Sequence, residues 1–288
     1  MSDLIVREPS AAEMARVAYF FRNHMLLPHA HILMALRCRP VERFVAAGAW
    51  WTEGSAVRFQ LVCLPGVAQP EVFALLINRV TESARLAGGQ RLHYADALTE
   101  DDPTAAHLKN NGFTPLERNR FFEVNYEDAG RRVTHLFEKF RPDIPPAWRT
   151  EPIRNHSPEI IMSLMGNHPL MPATELHYYW QMNSPGGLDL DASSILFDGA
   201  QPIGTMVLRA GQETLYIDIR VVRVENRRLR SLGNLLIFHH GTARRHPGGQ
   251  FRRLQFHGGE AEHRETANLA IRMGGRELPS RYIFAKIL

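Results

Sequence analysis

The alternation of hydrophobic and polar positions in the first half of the chain predicts a mixed α/β domain. Runs with the two-residue period of strands cover Leu4–Arg7, His31–Leu36, Arg43–Trp51, Arg58–Leu64, Arg91–Asp96 and Leu116–Val124. Helical spacing covers a segment that starts at Ser10 with Glu13 completing a capping box, a long segment at Pro70–Leu86, and a short one at Thr104–Asn110 that Gly112 closes. This order predicts a sheet with helices packed on it.

The second half of the chain repeats this order about 160 residues later. Gly88-Gly89-Gln90 recurs as Gly248-Gly249-Gln250, and Gly112 before a strand-like segment is echoed by Gly274. The matching elements are the strands Ile195–Phe197, Ile203–Arg209, Leu215–Val224 and Ser280–Phe284, and the helices Arg230–Arg245 and Thr266–Arg272. We therefore predict fold class α/β (α+β) with two tandem domains, each a mixed, mostly antiparallel sheet flanked by helices.

A helix and a proline-rich linker separate the predicted halves. Val133–Phe140 has helical spacing of apolar residues, and Pro142, Pro145 and Pro146 end it. The predicted organisation is an N-terminal domain at 1–128, a helix and linker at 129–148, and a C-terminal domain at 149–288.

Composition narrows the class of protein. Hydrophobic residues make up 44% of the 288 residues, enough for two cores and too many for a disordered chain. The net charge of +4 lies entirely in the second half, where nine arginines fall between Arg220 and Arg253 with Glu225 as the only acid. No basic run alternates with aromatics as nucleic-acid platforms do, so an anionic small molecule is favoured, and nucleic-acid binding by this face is the weakest option.

Several features point to a cytoplasmic protein without metal. Cys38 and Cys63 are isolated in apolar surroundings, which favours buried thiols over a disulfide or a zinc site. The first residues lack the basic and apolar pattern of a secretory leader, so none is expected, and the sequence contains no uncharged apolar run of about 18 residues. His239 and His240 are adjacent on a predicted helix and point in different directions, so no metal site is expected.

An arginine-rich turn between a strand and a long helix carries the main functional signal. It runs from Arg228 to Asn234 and includes Ser231 and Gly233. Free backbone N–H groups and the helix dipole favour an anion at a helix N-terminus, and small residues let a phosphate approach. The competing interpretation is an N-cap at Ser231 flanked by solvated arginines.

This turn resembles the motif of the GNAT acetyltransferase superfamily, Gln/Arg-x-x-Gly-x-Gly/Ala before a long helix. It reads Arg228-x-x-Ser231-x-Gly233, with serine at the first glycine. Leu108-Lys-Asn-Asn-Gly112-Phe113 before a strand resembles the family's helix, Gly-Phe and terminal-strand module, and the order of elements matches in both halves. The resemblance covers nearly the whole chain except the linker.

The resemblance implies that the C-terminal domain binds acetyl-CoA as co-substrate. Pantetheine would lie along a splayed strand and the pyrophosphate would bind the turn, where Ser231 still presents its backbone N–H. The implied cofactor-binding residues are Val221, Val222, Arg223, Val224, Arg228, Leu229, Arg230, Ser231, Leu232, Gly233 and Asn234. The expected partners are acetyl-CoA and an unidentified amine acceptor, with neither nucleic acid nor membrane; a homodimer is left open.

Acetyl transfer to an amine needs a base, and often an acid for the departing thiolate. Tyr216, Asp218 and Arg220 alternate onto one face of their strand, which makes Asp218 the best-placed carboxylate; its alternative is an ion pair with Arg220 or a neighbouring strand. His257 and Glu260 follow the next strand and are candidate bases or plain polar loop residues.

The position of the acid is the least family-like feature. The resemblance implies a tyrosine on the short helix, but Leu108 and Ala270 stand at the matching positions. Tyr282 on the closing strand is the candidate substitute, or a half-buried core tyrosine. The aromatic run His177–Trp180 and the loop Asn183–Asp191 are expected to build the acceptor pocket, or else to form a packed helix and a surface loop.

In the first half, the turn that matches the phosphate turn has unsuitable chemistry. Phe73 replaces Gly233, Pro70 removes an N–H, and Glu71 is either a carboxylate where phosphate should bind or simply a first-turn acid. The sequence therefore predicts an acyl-CoA-dependent N-acyltransferase with a degenerate N-terminal copy. The alternative is a non-catalytic pseudo-acetyltransferase that binds a metabolite or a protein.

Overall fold

The computed structural model describes residues 3–21, 27–38, 42–64, 70–166, 173–182, 187–243, 251–258 and 263–288. The strands are β1 (Leu4–Arg7), β2 (His31–Arg37), β3 (Arg43–Glu53), β4 (Ala56–Cys63), β5 (Arg91–Tyr94), β6 (Leu98–Thr99), β7 (Thr114–Asn125), β8 (Trp148–Pro152), β9 (Ser194–Asp198), β10 (Gln201–Ala210), β11 (Thr214–Val222), β12 (Arg253–Gly258) and β13 (Arg276–Ile287). The α-helices are α1 (Met14–Phe20), α2 (Pro70–Leu86), α3 (Pro103–Asn110), α4 (Tyr126–Phe140), α5 (Pro158–Met165), α6 (Ala173–Gln181), α7 (Arg227–Ala243) and α8 (His263–Arg272).

The chain divides into two compact units. Unit 1 runs to Asn119 and also includes Ser280–Leu288, and unit 2 is Arg120–Pro279. The sheet of unit 1 has the strand order β1-β2-β3-β4-β5-β13, and β6 pairs with β13. β4 and β5 are parallel, and the other pairs of unit 1 are antiparallel.

Helix α2 connects the two parallel strands of unit 1 and packs on the sheet. Pro70 occupies its first turn, where no intrahelical N–H donor is needed. Residues spaced three and four apart form its buried face, namely Val72, Phe73, Leu76, Ile77, Val80 and Ala84. They meet Phe59, Leu92 and Phe284 from the strands, so unit 1 has a core of its own.

The sheet of unit 2 has the matching order β8-β9-β10-β11-β12-β7, with β11 and β12 parallel. Helices cover both faces. On one face α5 and α6 contribute Ile161 and Leu176 to a cluster with Ile219. On the other, α4 and α7 contribute Val133 and Phe238 to a larger cluster. No helix among the described residues combines the length and apolar character that a bilayer crossing needs.

Each unit takes its sixth strand from the other half of the sequence. The part of β7 from Arg120 onward belongs to unit 2 and pairs with β12, while Ser280–Leu288 belongs to unit 1, where β13 pairs with β5. The unit boundaries therefore differ from the predicted ones at 128 and 149. The predicted linker helix is part of unit 2 and begins earlier, behind Asn125, whose side-chain oxygen accepts from the Asp128 N–H at 3.0 Å.

Candidate functional site

The two parallel strands of unit 2, β11 and β12, pair over only part of their length. Their register runs from Thr214 opposite Arg253 to Ile217 opposite Phe256. β11 then continues to Val222 and stays paired with β10, while β12 pairs on its other side with β7. Beyond Ile217 the facing edges of β11 and β12 therefore separate. Backbone groups on the β11 edge can there hydrogen-bond an extended ligand.

A β-bulge at Asp218 lies at the start of this separation. Val207 of β10 is opposite Ile219, and Leu208 is opposite Ile217, so one residue of β11, Asp218, is left without an opposite partner between them. The bulge interrupts the simple alternation of faces along β11.

Arg220 is the side chain that the bulge redirects. Its guanidinium donates to Asn234 Oδ1 on α7 at 2.9 Å and to Thr266 Oγ1 on α8 at 3.1 Å. Tyr216 and Asp218 instead face the side of the sheet that α6 covers. The prediction that these three residues share a face is therefore wrong for Arg220.

Asp218 forms a bidentate ion pair with Arg209 on β10. Arg209 Nε lies 2.7 Å from Oδ2 and Nη2 lies 3.2 Å from Oδ1, and the Asp218 side chain is 12% exposed. The guanidinium also lies over the rings of Tyr216 and, from α6, Tyr179, at 4.7 and 5.5 Å. Burial opposes the charge of Arg209, but the Asp218 carboxylate outweighs it and raises the pKa of Arg209. The pair with a neighbouring strand, considered as the alternative for Asp218, is the arrangement observed.

The run His177–Trp180 lies in α6 and so contributes Tyr179 to this cluster. The adjoining loop also reaches it, because Leu188 forms an isolated bridge with Arg209. Residues 183–186 of the predicted acceptor loop lie outside the described residues.

His257 lies beside this ion pair, one residue past Phe256, the last residue of β12 that pairs with β11. Burial lowers the pKa of His257, while the Asp218 charge and a hydrogen bond to the Asp218 backbone oppose the shift. Its ring centroid is 5.4 Å from that of Phe121 on β7. The imidazole is therefore neutral at pH 7. If one ring N–H donates to the Asp218 carbonyl, the other nitrogen carries the lone pair.

Helix α7 begins earlier than predicted and is capped by Asn226. The side-chain oxygen of Asn226 accepts from the N–H groups of Arg228 at 2.9 Å and Leu229 at 3.2 Å. Ser231 lies in the second turn, where its hydroxyl donates to the carbonyl of Arg227 at 3.0 Å. The interpretation of Ser231 as N-cap is therefore wrong, and its own N–H falls within the helix rather than at its open end.

A cavity of about 410 Å³ in unit 2 lies between α4, α7 and α8. Arginines and apolar side chains dominate its lining, which consists of Arg132, Val133, Leu136, Phe140, Arg220, Arg227, Arg228, Ser231, Leu232, Asn234, Leu235, Phe238, Asn268, Leu269, Arg272 and Met273. Four of the predicted cofactor residues, Arg228, Ser231, Leu232 and Asn234, thus meet at one place. The side chain of Asn234 is also held by its own helix, because its amide donates to the Arg230 carbonyl at 3.0 Å.

The other predicted cofactor residues have different surroundings. Val222, Val224 and Leu229 pack against the core cluster on the α7 face, and Val221 packs against the cluster on the opposite face. The backbone N–H of Arg223 donates to the Ile203 carbonyl at 2.7 Å and prolongs the β10 pairing.

Gly233 packs against the sheet and is not among the residues that line the cavity. A Cβ added there would come within 2.9 Å of Val222, 3.0 Å of Leu196 and 3.5 Å of Trp148. Its lack of a side chain lets α7 approach β9 and β11, which is a packing role.

The structure does not place two of the predicted catalytic residues, Tyr282 and Glu260, near Asp218 and His257. Tyr282 belongs to unit 1, where it is half-buried at the edge of the core and pairs with Leu98. Glu260 lies outside the described residues. At the expected tyrosine positions, Ala270 and Leu108 are both buried in their cores.

The matching separation in unit 1 is bridged by protein groups. β4 and β5 pair as far as Phe59 and Tyr94, after which Gln60 Nε2 donates to Asp96 Oδ2 at 2.7 Å. The hydroxyl of Tyr94 is 3.5 Å from the carbonyl oxygen of Leu61 on β4. By the same strand register, Ala95 stands in unit 1 where His257 stands in unit 2.

Glu71 lies in the first turn of α2, as predicted. Phe73, which takes the place of Gly233, is buried and stacks on His107 at 4.5 Å.

Sequence reasoning missed Arg209 and the contribution of α4. The hairpin register, with Ala210 opposite Leu215, places Arg209 across from Tyr216 and diagonal to Asp218, two residues further along β11. No comparable signal places Arg132 or Leu136 at the cavity, because helix-to-helix contacts leave no fixed spacing in the sequence.

Comparisons with known proteins bear on the fold. No family model matches the chain, and no curated protein matches it in sequence. A GCN5-related N-acetyltransferase from Sphaerobacter thermophilus superposes with a TM-score of 0.61 at 13% identity, covering 100% of this chain and 96% of that one. A tandem GNAT protein from the clavulanic acid biosynthesis pathway gives 0.59 at 14% identity over 97% and 88%. A probable N-acyltransferase from Enterococcus faecalis V583 gives 0.64 at 11% over 99% and 72%. The predicted fold class is confirmed, and the chain has the fold of the GCN5-related N-acetyltransferases.

Proposed function

We propose that the chain is an acetyl-CoA-dependent N-acyltransferase and that unit 2 carries the reaction. The observation that carries this proposal is the separation of β11 from β12, with a cation-lined cavity on one side of the sheet and a neutral histidine on the other. A thioester that reaches through the separation would meet the histidine. An amine acceptor would approach from the face that holds Tyr179 and Tyr216.

The residues of unit 2 fit acetyl-CoA. Five of the residues that line the cavity are arginines, and Arg227 and Arg228 stand at the start of α7, where the helix dipole also favours phosphate. The edge of β11 after Ile217 offers backbone groups to the amides of pantetheine. Acetyl-CoA would supply a carbonyl that is activated for attack by an amine.

In this proposal His257 is the general base. Its neutral ring accepts a proton from the amine as the nitrogen–carbon bond forms and the carbon–sulfur bond breaks. The proton then passes to the departing thiolate, which leaves as the free thiol. The Asp218 carboxylate acts as the counter-ion of Arg209, because both of its oxygens bind the guanidinium, and the Asp218 backbone is the hydrogen-bond partner of the His257 ring.

Unit 1 is proposed to bind no coenzyme. The contacts Gln60 to Asp96 and Tyr94 to Leu61 lie where a pantetheine chain would have to pass, and Glu71 stands in the first turn of α2. Calorimetric titration of the full chain with acetyl-CoA should then give one site per chain. Two sites per chain would contradict this part of the proposal.

The catalytic proposal is tested by release of free thiol from acetyl-CoA with a panel of amines. His257→Gln keeps the size of the side chain and should bind acetyl-CoA as the unaltered chain does, while turnover falls by about 10²–10⁴-fold. A chain that does not bind acetyl-CoA would refute the proposal. A His257→Gln variant with unchanged turnover would refute the assignment of the base.

The second candidate is a non-catalytic acyl-CoA-binding protein. It is favoured by the lack of a tyrosine in unit 2 at the expected place, since Ala270 is buried there and Tyr282 belongs to unit 1. Binding of acetyl-CoA without thiol release on any amine of the panel would favour this candidate.

A further inference from the structure

Helix α4 forms one wall of the cavity in unit 2, although it lies between the two repeated halves of the sequence. Arg132, Val133, Leu136 and Phe140 face the cavity from this helix. Resting on the proposed acetyl-CoA site, we propose that α4 and the end of α8 bind the nucleotide part of coenzyme A, with Arg132 and Arg272 holding its 3′-phosphate.

The charge of the lining points to a ligand with more than one phosphate. It contains five arginines and, among the described residues, no acid. Like charges brought together in a partly enclosed space repel one another, and a bound anion removes that repulsion. From outside the lining, the carboxylate of Asp143 contacts Arg228 at 3.0 Å.

The arginines form two groups on different elements. Arg227 and Arg228 stand at the start of α7, and Arg132 and Arg272 meet at the end of α8. Arg132 Nη1 donates to the backbone carbonyl of Arg272 at 2.7 Å, which fixes its guanidinium. The geometry suits a molecule with a pyrophosphate at one place and a separate phosphate at another.

The rest of the lining suits an aromatic base. Eight of its sixteen residues are apolar, and Phe140 and Phe238 come from two different helices. The volume of about 410 Å³ lies within the range of roughly 300–1,000 Å³ that is usual for small-molecule sites. Apolar walls with charged groups at two points match a phosphorylated nucleoside better than pantetheine.

The test uses calorimetric titration of the full chain with coenzyme A, dephospho-coenzyme A and adenosine 3′,5′-bisphosphate. Arg132→Gln should weaken coenzyme A binding about tenfold or more, the usual worth of a hydrogen bond to a charged group. It should also reduce the preference for coenzyme A over its dephospho form, with Arg272 accounting for what remains. Arg131→Gln is the matched control, because Arg131 is its exposed neighbour, pairs with Asp128 and does not line the cavity.

A second pair of variants tests the space without changing charge. Leu136→Trp should fill the cavity and weaken coenzyme A binding at least tenfold. His135→Trp adds the same side chain at an exposed position outside the lining and should leave binding unchanged. Thermal unfolding of each variant checks that the fold is kept.

The outcomes separate this inference from the proposed function. Coenzyme A binding that Arg132→Gln and Leu136→Trp leave intact would overturn the inference alone, as would equal losses in Arg131→Gln and Arg132→Gln. Binding of the bisphosphate that depends on Arg132, in a chain that does not turn over acetyl-CoA, would support the inference while the proposed activity fails. Binding of none of the three probes would overturn both.

Discussion

Two glycines inside helices of unit 2 should respond in opposite directions to the same substitution. Gly130 lies in α4, and a Cβ added there meets nothing within 4 Å. Gly233 lies in α7, where the added Cβ would be 2.9 Å from Val222 and 3.0 Å from Leu196. Gly130→Ala should therefore stabilise unit 2 and Gly233→Ala should destabilise it.

The magnitude follows from two contributions. Replacing glycine by alanine inside a helix gains roughly 0.5–1 kcal/mol, mainly from backbone entropy. Crowding a packed interior costs about 1–3 kcal/mol. The helix contribution is common to both variants, so their free energies of unfolding should differ by about 1–3 kcal/mol, with Gly233→Ala the less stable.

Urea unfolding of the full chain, followed by far-ultraviolet circular dichroism, measures this difference. Equal stabilisation by the two substitutions would refute the packing role given to Gly233. The same variants separate packing from ligand contact. If Gly233 contacts the coenzyme, Gly233→Ala will weaken acetyl-CoA binding in conditions where the variant is fully folded.

Three further predictions concern charged and titratable groups in unit 2 and in unit 1. Arg209→Met should raise the pKa of His257, because the guanidinium charge disfavours the imidazolium. Arg209→Lys, which keeps the positive charge, is the control. An NMR titration of the imidazole that shows no change of pKa in Arg209→Met would contradict this reasoning. Asp143→Asn removes the carboxylate that pairs with Arg228, and should strengthen coenzyme A binding up to about fivefold at low salt, the size expected for an exposed ion pair. Weaker binding by this variant would show that Asp143 does not compete with the coenzyme for Arg228. Burial lowers the pKa values of His93 and His257 in the folded chain. Below pH 6.5 the unfolded chain therefore binds more protons than the folded chain does. The free energy of unfolding should therefore decrease as the pH is lowered from 6.5 to about 5, a range that lies above the usual pKa values of carboxyl groups. A free energy of unfolding that stays constant over this range would contradict the burial of both rings.

Local patterns in the sequence were sufficient for most elements of the fold. The predicted helix Pro70–Leu86 has the observed bounds, because its buried face repeats every three to four residues and Pro70 marks its start. The exchange of β7 and β13 was not predictable in the same way. Each strand carries the pattern expected of a closing strand, and that pattern is identical whichever unit receives it.

The candidate site was predicted less completely, for reasons that lie in particular residues. The bulge at Asp218 adds one residue without altering the apolar pattern around it, so Arg220 was placed on the wrong face. The apolar spacing predicts that helix α7 begins at Arg230, but the side chain of Asn226 caps it and the helix begins at Arg227.

The exchanged strands also set an order on the making of this protein. A ribosome completes all of unit 2 before it reaches Ser280–Leu288, the segment that pairs with β5 of unit 1. Until then β5 has an open edge next to a largely assembled sheet, the kind of edge that recruits foreign strands. The half that is translated first is thus the one whose sheet closes last.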